Sequence, residues 1–249
     1  MSRVKIFIGL SLLFLVCSAG TSFAKVNPKA QRHYDLGMKL REEDRARSIQ
    51  EFQKAVTLDP NFTEARFELG SMYIDNGQLD QALVELKVVK KHNPGHHRLN
   101  THFGLIYHRW GLIEWSRAIQ IDPVYIYKDD GKRVFYKKGT PPETQINQYK
   151  KEMDRDTLNP LAHYNLRGVY YDLAIESYLK GVAANPKDTL AHLSLGLAYL
   201  ERGKTEKAKA QMAILEKLSP EAANNLRQSI VYQEQQRVQY QQMQKTNPK

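Results

Sequence analysis

The sequence predicts an all-α protein, a solenoid of stacked antiparallel helix pairs interrupted by one β-hairpin. Two observations carry this. Prolines that would close helical segments recur at a near-fixed spacing, and between them small residues and bulky apolar residues fall at helical intervals. From Pro60 to Pro94 is 34 residues, from Pro94 to Pro123 is 29, from Pro123 to Pro186 is 63, and from Pro186 to Pro220 is 34. The long interval divides into 34 and 29 if Thr157 stands where the other units carry Asp-Pro or Asn-Pro.

The first unit, about Gln31 to Pro60, carries Tyr34, Leu36, Gly37, Phe52, Ala55 and Asp59-Pro60 and is one residue short between its helices. The second, Thr63 to Pro94, places Leu69, Gly70, Tyr73, Gly77, Ala82 and Pro94 in order, and Thr189 to Pro220 repeats the arrangement with Leu195, Gly196, Tyr199, Gly203, Ala208 and Pro220. Small Gly70 or Gly196 and Ala82 or Ala208 let two helices approach closely, while Leu and Tyr fill the layer between them. Gly77 and Gly203 sit where a helix end needs a left-handed residue. A 34-residue period with these residues resembles the tetratricopeptide-repeat family, over most of residues 29 to 220. The resemblance implies a helical solenoid whose first helices line a common groove for another polypeptide.

Two units depart from the pattern. His97 to Pro123 keeps Gly104, Tyr107, Gly111, Ala118 and Asp122-Pro123 but lacks five residues around the turn, which predicts a short second helix. Pro160 to Pro186 has the same loss, with Arg167 where the family has Gly and Asp172-Leu173 joining Tyr171 directly to Ala174. Its two helices are expected to fuse, and a fused helix must cover its apolar face against another repeat or a second chain. That leaves open a homo-oligomer.

Between these units, Val124 to Tyr136 reads as two short strands around Asp130-Gly131, with the hairpin insert spanning about 124–139. It would cap an edge of the solenoid or pair with a partner strand. Glu143 to Asp156 then predicts a helix in a second-helix slot. After the solenoid, taken as residues 25–220, residues 221–249 form a capping helix with Leu226, Ile230, Tyr232 and Val238, followed by a loose polar tail from Gln241.

Residues 1–24 read as a secretion signal: Ser2, Arg3 and Lys5 precede the apolar run Ile6 to Val16, and Ser22-Phe23-Ala24 offers a cleavage site. The apolar run is shorter than the roughly 20 residues of a spanning helix. Cleavage near Ala24 implies a periplasmic or secreted protein. The single cysteine, Cys17, lies in this segment behind Val16, which disfavours lipidation; membrane association is expected only if Cys17 is lipidated. Its loss on cleavage would exclude disulfides and thiolate chemistry.

The 249 residues carry 37 basic and 27 acidic side chains, a formal charge of +10, with 41% hydrophobic residues. The basic residues are dispersed, so the charge suits solubility or acidic partners and not nucleic acid. No phosphate-cradling loop, paired-carboxylate motif or singled-out Ser-His-Asp order appears. His92, His96, His97, His102 and His108 are close in sequence, but none forms a His-x-x-x-His pair within one helix, and Asp129-Asp130 lacks the calcium-loop pattern. No enzyme activity, metal or cofactor is expected.

What the resemblance implies for binding is a groove lined by Tyr34, Met38, Phe67, Ser71, Ile74, Thr101, Leu105, His108, Tyr164, Tyr171, Leu193 and Leu197. The lining is largely aromatic and aliphatic, as suits a peptide with apolar anchors, although some of these side chains could equally be packed between repeats. The family's clamp of Lys and Asn for chaperone tails is not present at Phe67 and Ser71. The expected function is a non-catalytic protein-binding scaffold of the bacterial cell envelope. A periplasmic chaperone or carrier of exported polypeptides and a self-assembling structural protein are the alternatives.

Overall fold

The computed structural model describes residues 26–122 and 141–246. The expected signal segment and the hairpin insert lie outside the described residues. Among the described residues ten helices follow in order: α1 Pro28–Leu40, α2 Arg45–Leu58, α3 Thr63–Asp75, α4 Leu79–His92, α5 Leu99–Ile121, α6 Pro142–Arg155, α7 Pro160–Ala184, α8 Thr189–Glu201, α9 Thr205–Leu218 and α10 Pro220–Thr246. No strand occurs among the described residues.

Local chemistry starts and stops these helices. Asn27, Asp44, Asn159 and Asp188 accept from backbone N–H groups of the first turn of α1, α2, α7 and α8, and Pro28, Pro142 and Pro160 sit just inside helix starts where no N–H is needed. At their ends, Asp59, Asn185 and Ser219 adopt extended backbone ahead of a proline. Gly77 and Gly203, at φ 76° and 65°, terminate α3 and α8; Gln78 and Lys204 N–H groups reach back to Tyr73 and Tyr199 carbonyls at 2.8 Å.

Helices α1/α2, α3/α4 and α8/α9 are antiparallel pairs, each the helical hairpin of one repeat. A Cβ added to Gly37 would lie 2.8 Å from the Phe52 ring, and one added to Gly70 would lie 3.0 Å from Leu86. Phe52 and Leu86 each stand eight residues before the closing proline of their own unit. A polar pair recurs beside this contact: His33 Nδ1 to Glu51 at 2.5 Å, Arg66 Nη1 to Glu85 at 2.6 Å, and His192 Nδ1 to Gln211 Oε1 at 2.7 Å.

The two shortened units behave differently. Each is one continuous helix, α5 of 23 residues and α7 of 25, about 35 Å long at 1.5 Å per residue. The fusion expected for 160–186 is present, whereas the short second helix expected after Gly111 is instead a continuation of α5. Gly111 keeps a helical backbone and makes no turn. The missing residues are those of the turn itself, so the helix has nowhere to reverse.

Helices α5 and α7 pack on each other in the most extensive helix contact of the described structure. They run antiparallel: a Cβ on Gly104 would fall 2.4 Å from the Tyr178 ring, on Gly111 2.5 Å from the Tyr171 ring, and on Gly181 2.6 Å from Thr101 Oγ1. Tyr178 stands eight residues before Pro186, so it meets Gly104 as Leu86 meets Gly70, but from another repeat. Trp115, eight residues before Pro123, is met in turn by Arg167, whose guanidinium lies 5.7 Å from its ring. The polar pair crosses too, His163 Nδ1 lying 2.6 Å from Glu114. Two repeats have exchanged second halves within one chain.

The exchange explains the path of the solenoid. The first half of α5 with the second half of α7 makes a composite repeat between α3/α4 and α8/α9. The second half of α5, the first half of α7 and α6 form a side bundle in which Tyr149, Leu166, Val169, Tyr170 and Leu173 are buried, with Trp110, Ile146 and Met153 against them.

Candidate functional site

A cavity of about 420 Å³ opens between the middle of α1, the N-terminal half of α3 and the α4–α5 connection. Its wall comprises Tyr34 from α1, Glu64, Phe67 and Glu68 from α3, and Asn93 and Gly95 to Arg98 from the connection. Aromatic groups are stacked along one side. The Phe67 ring centre lies 4.0 Å from that of His96, 4.5 Å from that of His102, and 4.6 Å from the Arg98 guanidinium. His97 stacks on His96 at 5.2 Å and is exposed.

A closed polar ring fixes this wall. Arg41 and Arg98 both donate to the buried Glu68 carboxylate, the latter at 2.7 Å. Arg41 also donates to Ser71 Oγ at 3.2 Å, and His102 Nε2 lies 3.3 Å from the same hydroxyl. His102 Nδ1–H donates to the Arg98 carbonyl at 3.0 Å. Burial holds His102 neutral, its pKa pushed down to about 4, and also lowers that of His96. Tyr34 is shifted upward, by burial first and then by Glu68 and Glu64. One carboxylate against two guanidiniums makes a rigid wall with the bulk of its donors already satisfied. The other polar side chains lining the cavity are Tyr34, Glu64, Asn93, His96 and His97.

Of the twelve residues expected to line a groove, the cavity gathers Tyr34 and Phe67. Phe67, Ser71, Ile74, Thr101 and Tyr171 are at most 5% exposed and face neighbouring helices, so these five are packing residues and not an open lining. Thr101 Oγ1 donates to Asp188 at 3.0 Å and its side chain fills the space left by Gly181; Ile74 offers its carbonyl to Arg109. Leu105, Leu193 and Leu197 are partly buried against the core around α8. His108 lies edge-on to Tyr171, with ring centres 5.4 Å apart, and burial depresses its pKa. Tyr164 lies under Arg167, whose guanidinium is 5.4 Å from its ring, and Met38 is exposed.

Sequence reasoning missed Glu64, Glu68, Asn93, Gly95, His96, His97 and Arg98 as cavity residues. The α4–α5 connection supplies five of them, and repeat periodicity carries no information about where a connection folds. His96 and His97 stand out in the sequence as metal candidates; among the described residues no three His, Cys, Asp or Glu side chains are placed to hold a metal. No described helix is long and apolar enough to cross a membrane.

Two tetratricopeptide-repeat family models match the chain, at residues 39–101 and 177–210. Neither match enters residues 102–176, where the exchange and the side bundle lie. No curated protein matches the chain. Among solved structures, a thermophilic tetratricopeptide-repeat protein of Thermus thermophilus is 18% identical, covering 82% of this chain and 98% of its own, at a TM-score of 0.42. MamA is 23% identical, over 76% of this chain and 91% of its own, at 0.33. YrrB, described as having an unusual peptide-binding site, is 14% identical, over 80% and 92%, at 0.30. The fold is established by the helix pairs, their register and the two repeat matches: over the described residues this chain is a helical solenoid that carries tetratricopeptide repeats.

Proposed function

We propose that the protein is a non-catalytic scaffold of the bacterial cell envelope that holds a segment of another protein at the cavity between α1, α3 and the α4–α5 connection. The cavity beside Tyr34 and Arg98 carries this reading, because it is preformed and presents the exposed Glu64 and His97 to a partner side chain, with Phe67 buried behind His96 and Arg98. The apolar run Ile6 to Val16 and the small residues around Ala24 support export. The rigid ring around Glu68 would keep the cavity's shape before binding, which lowers the ordering cost of association.

The test is capture of partners from the native envelope fraction by crosslinking, comparing the unmodified protein with Glu64→Lys and His97→Glu. Both positions are exposed, so the fold should survive, unlike Phe67→Ala, which would empty a core site. A partner recovered with the unmodified protein and lost from both variants supports the reading. An unchanged partner set in both would place binding elsewhere on the chain.

A further inference from the structure

The two carboxylates that line the cavity are treated differently by the chain. Glu68 is answered twice, by Arg41 and by Arg98, and the Arg98 guanidinium also lies 4.6 Å from the Phe67 ring. Glu64, about one turn earlier on α3, is exposed and lines the same cavity. Its carboxylate accepts from the neighbouring Thr63 hydroxyl at 3.0 Å, and among the described residues no lysine, arginine or histidine forms an ion pair with it. The cavity therefore carries one acid without a counter-ion.

The charge of Glu64 reaches both walls. Tyr34 is held above its ordinary pKa by burial first, then by Glu68 and Glu64, each of which outweighs the opposing Arg98. On the other wall Glu64 acts upward on His96, against the stronger lowering by burial, His97 and Arg98. The Tyr34 ring is held in place by Phe62 and Phe52, with ring centres 5.1 and 5.8 Å away, and the exposed His97 ring is backed by His96. Asn93 brings a side-chain carbonyl that can accept a hydrogen bond. A space of about 420 Å³ bounded in this way admits one long side chain and not a helix about 10 Å across.

Resting on the binding reading above, we infer that the side chain this cavity receives is basic, an arginine standing alone in an otherwise neutral or acidic segment of the partner. Glu64 supplies the counter-charge, the rings of Tyr34 and His97 offer faces for a planar guanidinium, and Asn93 accepts one of its remaining N–H groups. Lysine would pair with Glu64 as a point charge without stacking, and so binds less tightly. A carboxylate would meet Glu64 as a like charge, beside two guanidiniums that already hold Glu68. The segment around the arginine cannot be strongly basic, because the chain carries a formal charge of +10 and Lys87, Lys90 and Lys91 are exposed on the helix that leads into the cavity wall.

Selection from a library of random peptides on the immobilised full chain tests this, with Glu64→Lys and Glu64→Gln in parallel; position 64 is exposed, so both variants should keep the thermal midpoint of the unmodified protein. Peptides that bind the unmodified protein and fail on Glu64→Lys should share one arginine. In the tightest of them, alanine in place of that arginine should weaken binding about tenfold or more and lysine about threefold, and Glu64→Gln should weaken the arginine peptide about tenfold. Glutamate in place of the arginine should give a peptide that prefers Glu64→Lys to the unmodified protein. A shared acidic or apolar residue instead of arginine, or an arginine peptide that binds Glu64→Gln undiminished, overturns the inference and leaves the cavity as the binding site. Insensitivity of every selected peptide to Glu64→Lys also overturns it, and insensitivity to His97→Glu as well overturns the binding reading with it.

Discussion

His163 and Glu114, 49 residues apart in sequence, meet at 2.6 Å inside the side bundle, both less than 9% exposed. The pair is the counterpart of His33–Glu51 and Arg66–Glu85, which join two helices of a single repeat. Here it joins the helices of two. Removing one member leaves a buried polar group unpaired, so Glu114→Ala is expected to cost roughly 3 kcal/mol, whereas replacing both by apolar residues of similar size should cost far less. Urea denaturation of the two singles and the double reads the coupling. If Glu114→Ala and its double with His163→Leu were equally destabilised, the pair would not be acting as a unit.

The close approach of Gly104 to Tyr178 gives a sharper test of the exchange. A methyl group at residue 104 would lie 2.4 Å from the Tyr178 ring, so Gly104→Ala is expected to cost about 1–3 kcal/mol through overpacking. Tyr178→Leu in the same chain should recover part of that loss. The coupling read from a double-mutant cycle is the signature of contact. Strict additivity of the two changes would mean that α5 and α7 do not meet there.

Much of this fold was legible in the residues. Proline spacing located the ends of α2, α4, α7 and α9, and Gly77 and Gly203 marked turns because only a left-handed residue fits there. The missing turn residues signalled fusion at Asp172. They could not say what the fused helix would pack on, since that depends on a second helix, distant in sequence, with the same defect. Gly111 was misleading: as the counterpart of Gly77 it reads as a turn residue, but its lack of a side chain is used for contact with Tyr171. The groove residues suffered similarly. The family resemblance implied that Phe67, Ile74 and Tyr171 line the groove, and tertiary packing buries them.

Stability should fall as the solution is acidified from about pH 6.5 to about pH 4. His102 is buried and held neutral, with a folded pKa of about 4, whereas in the unfolded chain it takes up a proton near pH 6.5. Between those values the unfolded state binds the extra proton, so stability rises with pH across this window and levels off above it. The contribution is on the order of 3 kcal/mol, with His96 and His108 acting in the same direction. Urea midpoints at several pH values check it. His102→Gln should flatten the profile, and an equally steep profile in that variant would assign the acid sensitivity to other groups.

Gly77 and Gly203 have open space around them, so substitution there probes backbone conformation alone. Gly77→Ala is expected to destabilise by about 1 kcal/mol because an L side chain resists positive φ. Gly95→Ala, also in open space but without positive φ, should be close to neutral and serves as the control. Equal effects of the two changes on the thermal midpoint would remove the conformational explanation.

Arg167 stands where a repeat ordinarily has glycine, and the structure turns that departure to use. Its guanidinium centre is 5.1 Å from the Tyr171 ring, 5.4 Å from Tyr164 and 5.7 Å from Trp115, and Nη2 donates to Glu201 at 2.9 Å. Helix α5 brings Trp115, α7 brings Tyr164 and Tyr171, and α8 brings Glu201, so one side chain ties the side bundle to the solenoid. If arginine were a tolerated defect, restoring the family residue would stabilise the protein. The opposite is expected: Arg167→Gly should cost roughly 2–4 kcal/mol, from the emptied space, the lost cation–π contacts and added helix flexibility. Arg167→Lys should recover only part of it, because an ammonium cannot lie flat against three rings while reaching Glu201. Denaturation of both variants decides between these accounts, and a gain in stability for Arg167→Gly would make the residue a defect after all.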